Sequence, residues 1–174
     1  ASNRRSKGDR AVTIQLCMSA CLVGQCCRYD ARTYPSIVDK RLHYMLNVGQ
    51  VAVLCPECSA GLDTPREAAE IEPGKTADDV LNGTGRVLTQ SGKDVTAFYV
   101  KGAENFVALA RKHGVKVAVL KSKSPSCGPD TVYDGTHSGK IIAGQGVAAA
   151  ALRKAGVTLF DEHHLNEALD ALNK

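Results

Sequence analysis

No uninterrupted apolar run in this chain approaches the roughly 18 residues that a bilayer-crossing helix needs. The most apolar early stretch, residues 12–23, is broken by Thr13, Gln15 and Ser19, so a membrane span is not expected. The basic start carries Arg4, Arg5, Lys7 and Arg10, but no convincing small-residue cleavage site follows, and residues 1–11 read as a flexible tail rather than a secretory leader. Internal repeats, low-complexity blocks and interdomain linkers are also missing, which leaves residues 12–174 to form a single domain of ordinary size. The full dinucleotide fingerprint is absent: Gly144-Gln145-Gly146 is only a fragment of it, late in the chain, and no nicotinamide cofactor is expected. Cys55-Pro56-Glu57-Cys58 is a lone C-x-x-C with no second pair at zinc-site spacing, which makes a zinc site the weaker reading.

What remains is an ordinary globular composition, 44% hydrophobic and 23% charged, that excludes a disordered chain. The net charge of +4, from 22 basic and 18 acidic residues, lies partly in the tail. It permits contact with RNA without indicating it, because phosphate binding requires basic residues gathered on one face. Seven cysteines are many for 174 residues, and the odd number would leave one thiol outside any complete disulfide framework. Cysteines set beside Gly and Pro in a reduced, cytoplasmic chain point to metal binding or catalysis instead.

Hydrophobic periodicity predicts a strand over 13–20, a helix over 36–47 and a short continuous apolar strand over 51–54. Gly and Pro punctuate residues 63–96, where a small hairpin around 86–90 is expected within an excursion over the active face. A helix over 95–113 follows, with Asp94 or Thr96 as cap and Gly114 as stop, and then a strand over 115–120. An Ala-rich helix over 146–154, a strand over 157–160 and a helix over 164–172 complete the chain, with Asp161 placed to cap the last helix. Strands alternating with helices imply right-handed crossovers, so the expected fold class is α/β: a Rossmann-like three-layer sandwich with a mainly parallel sheet.

Three cysteines occupy equivalent places in that pattern. Cys21 follows the first strand, Cys55 the second, and Cys127 the strand that ends at Leu120. Ligands of open α/β sheets collect outside the carboxyl ends of the strands, so thiols far apart in sequence can converge there. The surrounding Gly and Pro let backbone approach a bulky group, and the hydroxyls of Ser124 and Ser126 can donate to sulfur. The plain alternative is that each is a buried small hydrophobe, the usual fate of a free cysteine.

The segments Ser19-Ala20-Cys21-Leu22, Arg28-Tyr29-Asp30, Cys55-Pro56-Glu57, Thr64-Pro65-Arg66, Lys121-Ser122-Lys123-Ser124-Pro125-Ser126-Cys127-Gly128 and Tyr133-Asp134-Gly135-Thr136 resemble, in order, the bacterial family that contains thiouracil desulfidase. The resemblance spreads from about residue 13 to residue 160, and the Cys-Pro-Glu and Ser-Pro-Ser-Cys-Gly runs together make it specific. It implies a four-iron, four-sulfur (4Fe-4S) cluster held by Cys21, Cys55 and Cys127, with the fourth iron free of protein. Three thiolates leave one coordination position open, and thiophilic iron accepts a thione sulfur. On that basis the chain is expected to be an enzyme that desulfurates a thiolated pyrimidine such as 2-thiouracil without redox change.

Within this scheme Glu57 is the expected base toward water, and Ser124, with Ser122 behind it, the expected hydrogen-bonding partner of substrate or water. The lesser alternative for Glu57 is a solvated loop carboxylate or a partner of Arg66, while for Ser122 a turn role stands level with the functional one. Arg28, Tyr29, Asp30 and Tyr133 are expected on the substrate pocket, with Asp134 and Arg66 as lesser candidates; His137 reads as a loop residue. Cys17, Cys26, Cys27 and Cys58 fall outside the family's ligand pattern, and Cys58 raises the alternatives of a redox pair or a fourth cluster ligand. Thiolated uridine in a nucleoside or in tRNA is the alternative substrate, and a non-catalytic cluster-binding sensor the alternative function.

Overall fold

A computed structural model of the protein describes residues 13–25, 28–30 and 39–173. The chain runs through β1 (Leu16–Ser19), a 3-10 turn (Ala20–Val23), α1 (Lys40–Asn47), β2 (Val51–Leu54), α2 (Pro56–Ser59), β3 (Ala69–Ile71), α3 (Ala77–Asn82), β4 (Val87–Thr89) and α4 (Thr96–His113). It continues through β5 (Val117–Leu120), β6 (Thr131–Tyr133), β7 (Ile141–Ala143), α5 (Val147–Lys154), β8 (Thr158–Asp161) and α6 (Leu165–Ala171).

Four of the strands form a fully parallel sheet in the order β2-β1-β5-β8. The period of two sorts their side chains cleanly. Cys17, Ala118 and Leu120 enter one core with Ala103, Phe106 and Ala110 of α4 and the alanines of α5. Leu16, Met18, Val117 and Val119 enter the other, with Leu42 and Met45 of α1 and Leu165, Ala168 and Leu169 of α6. Helices thus cover both faces, which is why the central strands β1 and β5 are buried at every position. This is the expected three-layer α/β sandwich. The first crossover steps outward from β1 to β2 and the next returns past β1 to β5, so the strand order reverses between β1 and β5.

Turns of three residues deliver α1 to β2, α4 to β5 and α5 to β8 at the amino edge. At the carboxyl edge the β8–α6 connection is equally short, but the stretches that follow β2 and β5 are longer and carry two antiparallel pairs, β3 with β4 and β6 with β7. The expected 86–90 hairpin is only half local: β4 pairs with β3, which lies upstream on the far side of α3. α3 itself is held by a capping box between Thr76 and Asp79.

The first strand is shorter than its apolar pattern, because residues 13–15 precede the ladder that begins at Leu16. Of the predicted 36–47 helix, residues 36–38 lie outside the described residues; α1 starts after Asp39, whose carboxylate accepts the Leu42 N–H at 3.0 Å. Asp94 accepts the Thr96 N–H at 2.9 Å at the start of α4. Gly102 in mid-α4 faces α2 so closely that a Cβ there would lie 2.4 Å from the Pro56 carbonyl oxygen. Among the described residues no helix is long and apolar enough to cross a membrane.

Candidate active site

Cys21, Cys55 and Cys127 reach one cavity of about 510 Å³ at the carboxyl edge of the sheet. Cys21 lies in the 3-10 turn directly after β1. Cys55 follows β2 and starts α2, where its Sγ accepts the Cys58 N–H at 3.5 Å. Cys127 lies in the loop after β5 and is 4% exposed. The Ser124 hydroxyl oxygen accepts its N–H at 3.0 Å, and the Ser126 hydroxyl approaches its sulfur at 3.8 Å. Ser19 ties the first and third loops together, its hydroxyl oxygen accepting the Lys121 N–H at 3.0 Å.

Burial pushes the Cys127 thiol up to about 12; the Ser19 hydroxyl opposes this, and the neighbouring Cys55 and Glu57 add to it. Thiols gathered beside a carboxylate are a poor arrangement for anions alone and a suitable one for a cationic centre, which deprotonates a coordinating thiol. Among the described residues no three His, Cys, Asp or Glu side chains sit close enough to share one metal ion.

Glu57 enters the same cavity from the first turn of α2. Its Oε2 pairs with Arg66 Nη2 at 2.8 Å, both side chains being largely buried, and its Oε1 accepts the Tyr99 hydroxyl of α4. Burial and then the Glu57 charge raise the Tyr99 phenol well above its usual range. Burial pulls Arg66 down, but the Glu57 carboxylate outweighs it and the net shift is upward. Arg66 therefore stays a cation and Tyr99 a neutral donor, and the carboxylate is fixed between them.

A family model described as 2-thiouracil desulfurase matches residues 16–164, nearly the whole described chain. The chain belongs to the 2-thiouracil desulfurase family. Within the desulfurase fold, a solved structure titled 4Fe-4S-dependent thiouracil desulfidase TudS superposes with a TM-score of 0.82 at 38% identity, covering 92% of this chain and 98% of that one. An uncharacterized protein, YbbK of Bacillus subtilis strain 168, is 42% identical over 152 residues, 87% of this chain and 98% of its own length.

The remaining candidate residues of this desulfurase are placed as follows. Ser122, Ser124, Arg28, Tyr29 and Tyr133 line the cavity, whereas Asp30 is not among its lining residues. Ser122 is held by Glu162: its N–H donates to Oε2 at 2.8 Å and its hydroxyl to Oε1. Burial alone would raise the Glu162 carboxyl, but these bonds from Ser122, together with Lys121, hold it below the usual range. Arg66 contributes its backbone N–H to the Tyr29 carbonyl at 2.7 Å and lies outside the cavity wall.

Cys17 is fully buried in the core, where burial raises its thiol to about 11. The Cys58 thiol contacts Thr64 Oγ1 at 3.4 Å and Arg66 Nη1 at 3.8 Å and does not line the cavity. Cys26 and Cys27 lie outside the described residues. Sequence reasoning missed Glu70, Tyr99, Lys121 and Glu162 as parts of the site; His137 is the loop residue expected, and it also lines the cavity. Tyr99 was legible only as part of an apolar helix stripe, and no local pattern marks Glu70 or Glu162.

Proposed function

We propose that this chain removes sulfur from a thiolated pyrimidine such as 2-thiouracil, giving the oxygenated base and hydrogen sulfide. The observation that supports this most is the meeting of Cys21, Cys55 and Cys127 with Glu57 in one cavity. These thiols come from three separate loops. With a backbone donor on the Cys55 sulfur, a hydroxyl beside the Cys127 sulfur and all three thiols on one cavity, they fit a 4Fe-4S cluster held by three cysteines with one iron open. When bound, that cluster supplies a thiophilic Lewis acid for the thione sulfur, with no net electron transfer.

The protein's own groups then divide the proton work. A carboxylate offers about four lone-pair sites, of which Arg66 and Tyr99 occupy two on Glu57. A remaining one takes a proton from the water that adds to the sulfur-bearing carbon, and Glu57 returns it as the carbon–sulfur bond breaks. One water is consumed, oxygen replaces sulfur, and the net reaction is hydrolytic. The Ser124 hydroxyl donates to the substrate or to that water. Arg28, Tyr29, Ser122 and Tyr133 complete the wall that receives the base, with Tyr29 45% exposed at the site. A cavity of about 510 Å³ that also houses the cluster leaves space for no more than a free base or nucleoside, which we favour over tRNA. Reduced thiols of this kind suit the cytoplasm.

The test is anaerobic reconstitution with iron and sulfide, then incubation with 2-thiouracil or 4-thiouridine while released sulfide is measured. Iron binding and sulfide release that both vanish in Cys21→Ser, Cys55→Ser and Cys127→Ser are the expected result. A reconstituted protein that releases no sulfide from either compound refutes the proposal.

A further inference from the structure

On the wall of the cavity formed by the two antiparallel pairs lie a glutamate and a histidine that the hydrolytic scheme does not use. Glu70 of β3 is 8% exposed, an unusual burial for a carboxylate, and both it and His137 of the β6–β7 connection line the cavity. Glu70 Oε1 accepts the backbone N–H groups of Gly135 at 2.9 Å and His137 at 3.3 Å, while Oε2 faces His137 Nδ1 at 3.3 Å.

The tether is tight. Gly135 has φ of 94°, and a Cβ there would lie 2.4 Å from the Ile71 carbonyl oxygen, so no other residue lets the connection approach β3 this closely. His137 itself holds φ of 55°, left-handed backbone that a side-chain-bearing residue adopts at a cost. In a neutral ring, a carboxylate oxygen 3.3 Å from Nδ1 favours the tautomer with its proton on that nitrogen, which leaves Nε2 as the acceptor.

From this geometry we infer that the Glu70–His137 pair reads the pyrimidine ring: His137 Nε2 accepts the ring N–H beside the thiocarbonyl, N3–H in both 2- and 4-thiolated pyrimidines. Glu70 is the positioning residue, acting through the tautomer it imposes. The inference rests on the proposed desulfuration in this cavity and adds to it the part of the substrate that is recognised. A ring methylated at N3 offers no such donor.

The experiment compares binding of the product uracil and its analogue 3-methyluracil to the reconstituted protein by calorimetry, alongside sulfide release from 2-thiouracil. Loss of one such hydrogen bond should lower the preference for uracil over 3-methyluracil about 10-fold in His137→Phe, which keeps a planar ring but removes the acceptor. His137→Gln, which restores a polar group near the Nε2 position, should recover part of that preference. Glu70→Gln keeps an oxygen for the two backbone donors and turns an amide N–H toward Nδ1. The ring proton then moves to Nε2, and the preference falls as in His137→Phe although the histidine is intact. An undiminished preference in either His137→Phe or Glu70→Gln, with wild type releasing sulfide, overturns the inference alone. A wild type that releases no sulfide overturns the function beneath it.

Discussion

Replacing Gly102 by Ala tests how the site is supported, because two effects of known sign oppose each other there. In the middle of an 18-residue helix, glycine costs about 1 kcal/mol relative to alanine, so helix propensity alone makes Gly102→Ala stabilising. The new methyl, however, would meet the Pro56 carbonyl oxygen at 2.4 Å and its carbonyl carbon at 2.7 Å. That is close to 1 Å inside the distance of about 3.3 Å at which carbon and carbonyl oxygen normally sit. Neither partner atom belongs to a side chain that can rotate away, so the overpacking cost lies at the upper end of its range, about 3 kcal/mol. The net effect is a loss of about 2 kcal/mol, or a fall in melting temperature of roughly 4–8 °C for a chain of this size. Calorimetry on the cluster-free protein measures it without a contribution from bound iron. Tyr99 lies one turn before Gly102 on α4 and holds Glu57, so the displaced helix should also slow turnover in the reconstituted enzyme. An unchanged or higher melting temperature in Gly102→Ala would refute the packing argument.

Glu57→Gln should retain the iron–sulfur absorption spectrum while sulfide release falls at least 100-fold, the lower range for loss of a general base; turnover within a few-fold of wild type rejects the proton-transfer role. Cys58→Ser should leave iron content and sulfide release unaltered, since its thiol contacts Thr64 and Arg66 instead of the cavity, whereas Cys127→Ser should lose iron. Glu162 titrates below its ordinary value of 4.5 when folded. A depressed folded value means its stabilisation is present above about pH 4.5 and is lost as pH falls through the folded value. Urea midpoints of wild type and Glu162→Gln should therefore differ near neutral pH and converge in acid; a gap independent of pH contradicts this.

The fold was legible where both faces of a strand are covered. Residues 51–54 and 117–120 are short continuous apolar runs of the kind that helix-covered parallel strands show, the second buried throughout and the first a half-buried edge strand, and α4 and α5 announced themselves by period and glycine stops. Residues 69–71 and 141–143 gave no such signal: β3 carries Glu70, a side chain that reads as solvent-facing, and β7 is exposed throughout. The three cysteines were legible because each directly follows or closely trails a strand, and position at a strand end survives errors of a residue or two. The ion pair of Glu57 with Arg66 was foreseen as one alternative, because nine residues separate them within one loop region. Tyr99, 42 residues from Glu57, and Glu162, 40 residues from Ser122, were not, since tertiary partners at that separation leave no periodic trace.

The unequal lengths of the connections on the two rims of the sheet have a consequence for how such a scaffold diverges. Three-residue links at the amino rim leave no slack, so an insertion there would disturb the alignment of helix against strand that both cores require. The opposite rim carries nearly all the chain's spare length, including both accessory strand pairs. Changes in ring size, ring substituents or attached sugar among accepted molecules can thus accumulate on that rim alone, while the framework carrying the thiols stays in register.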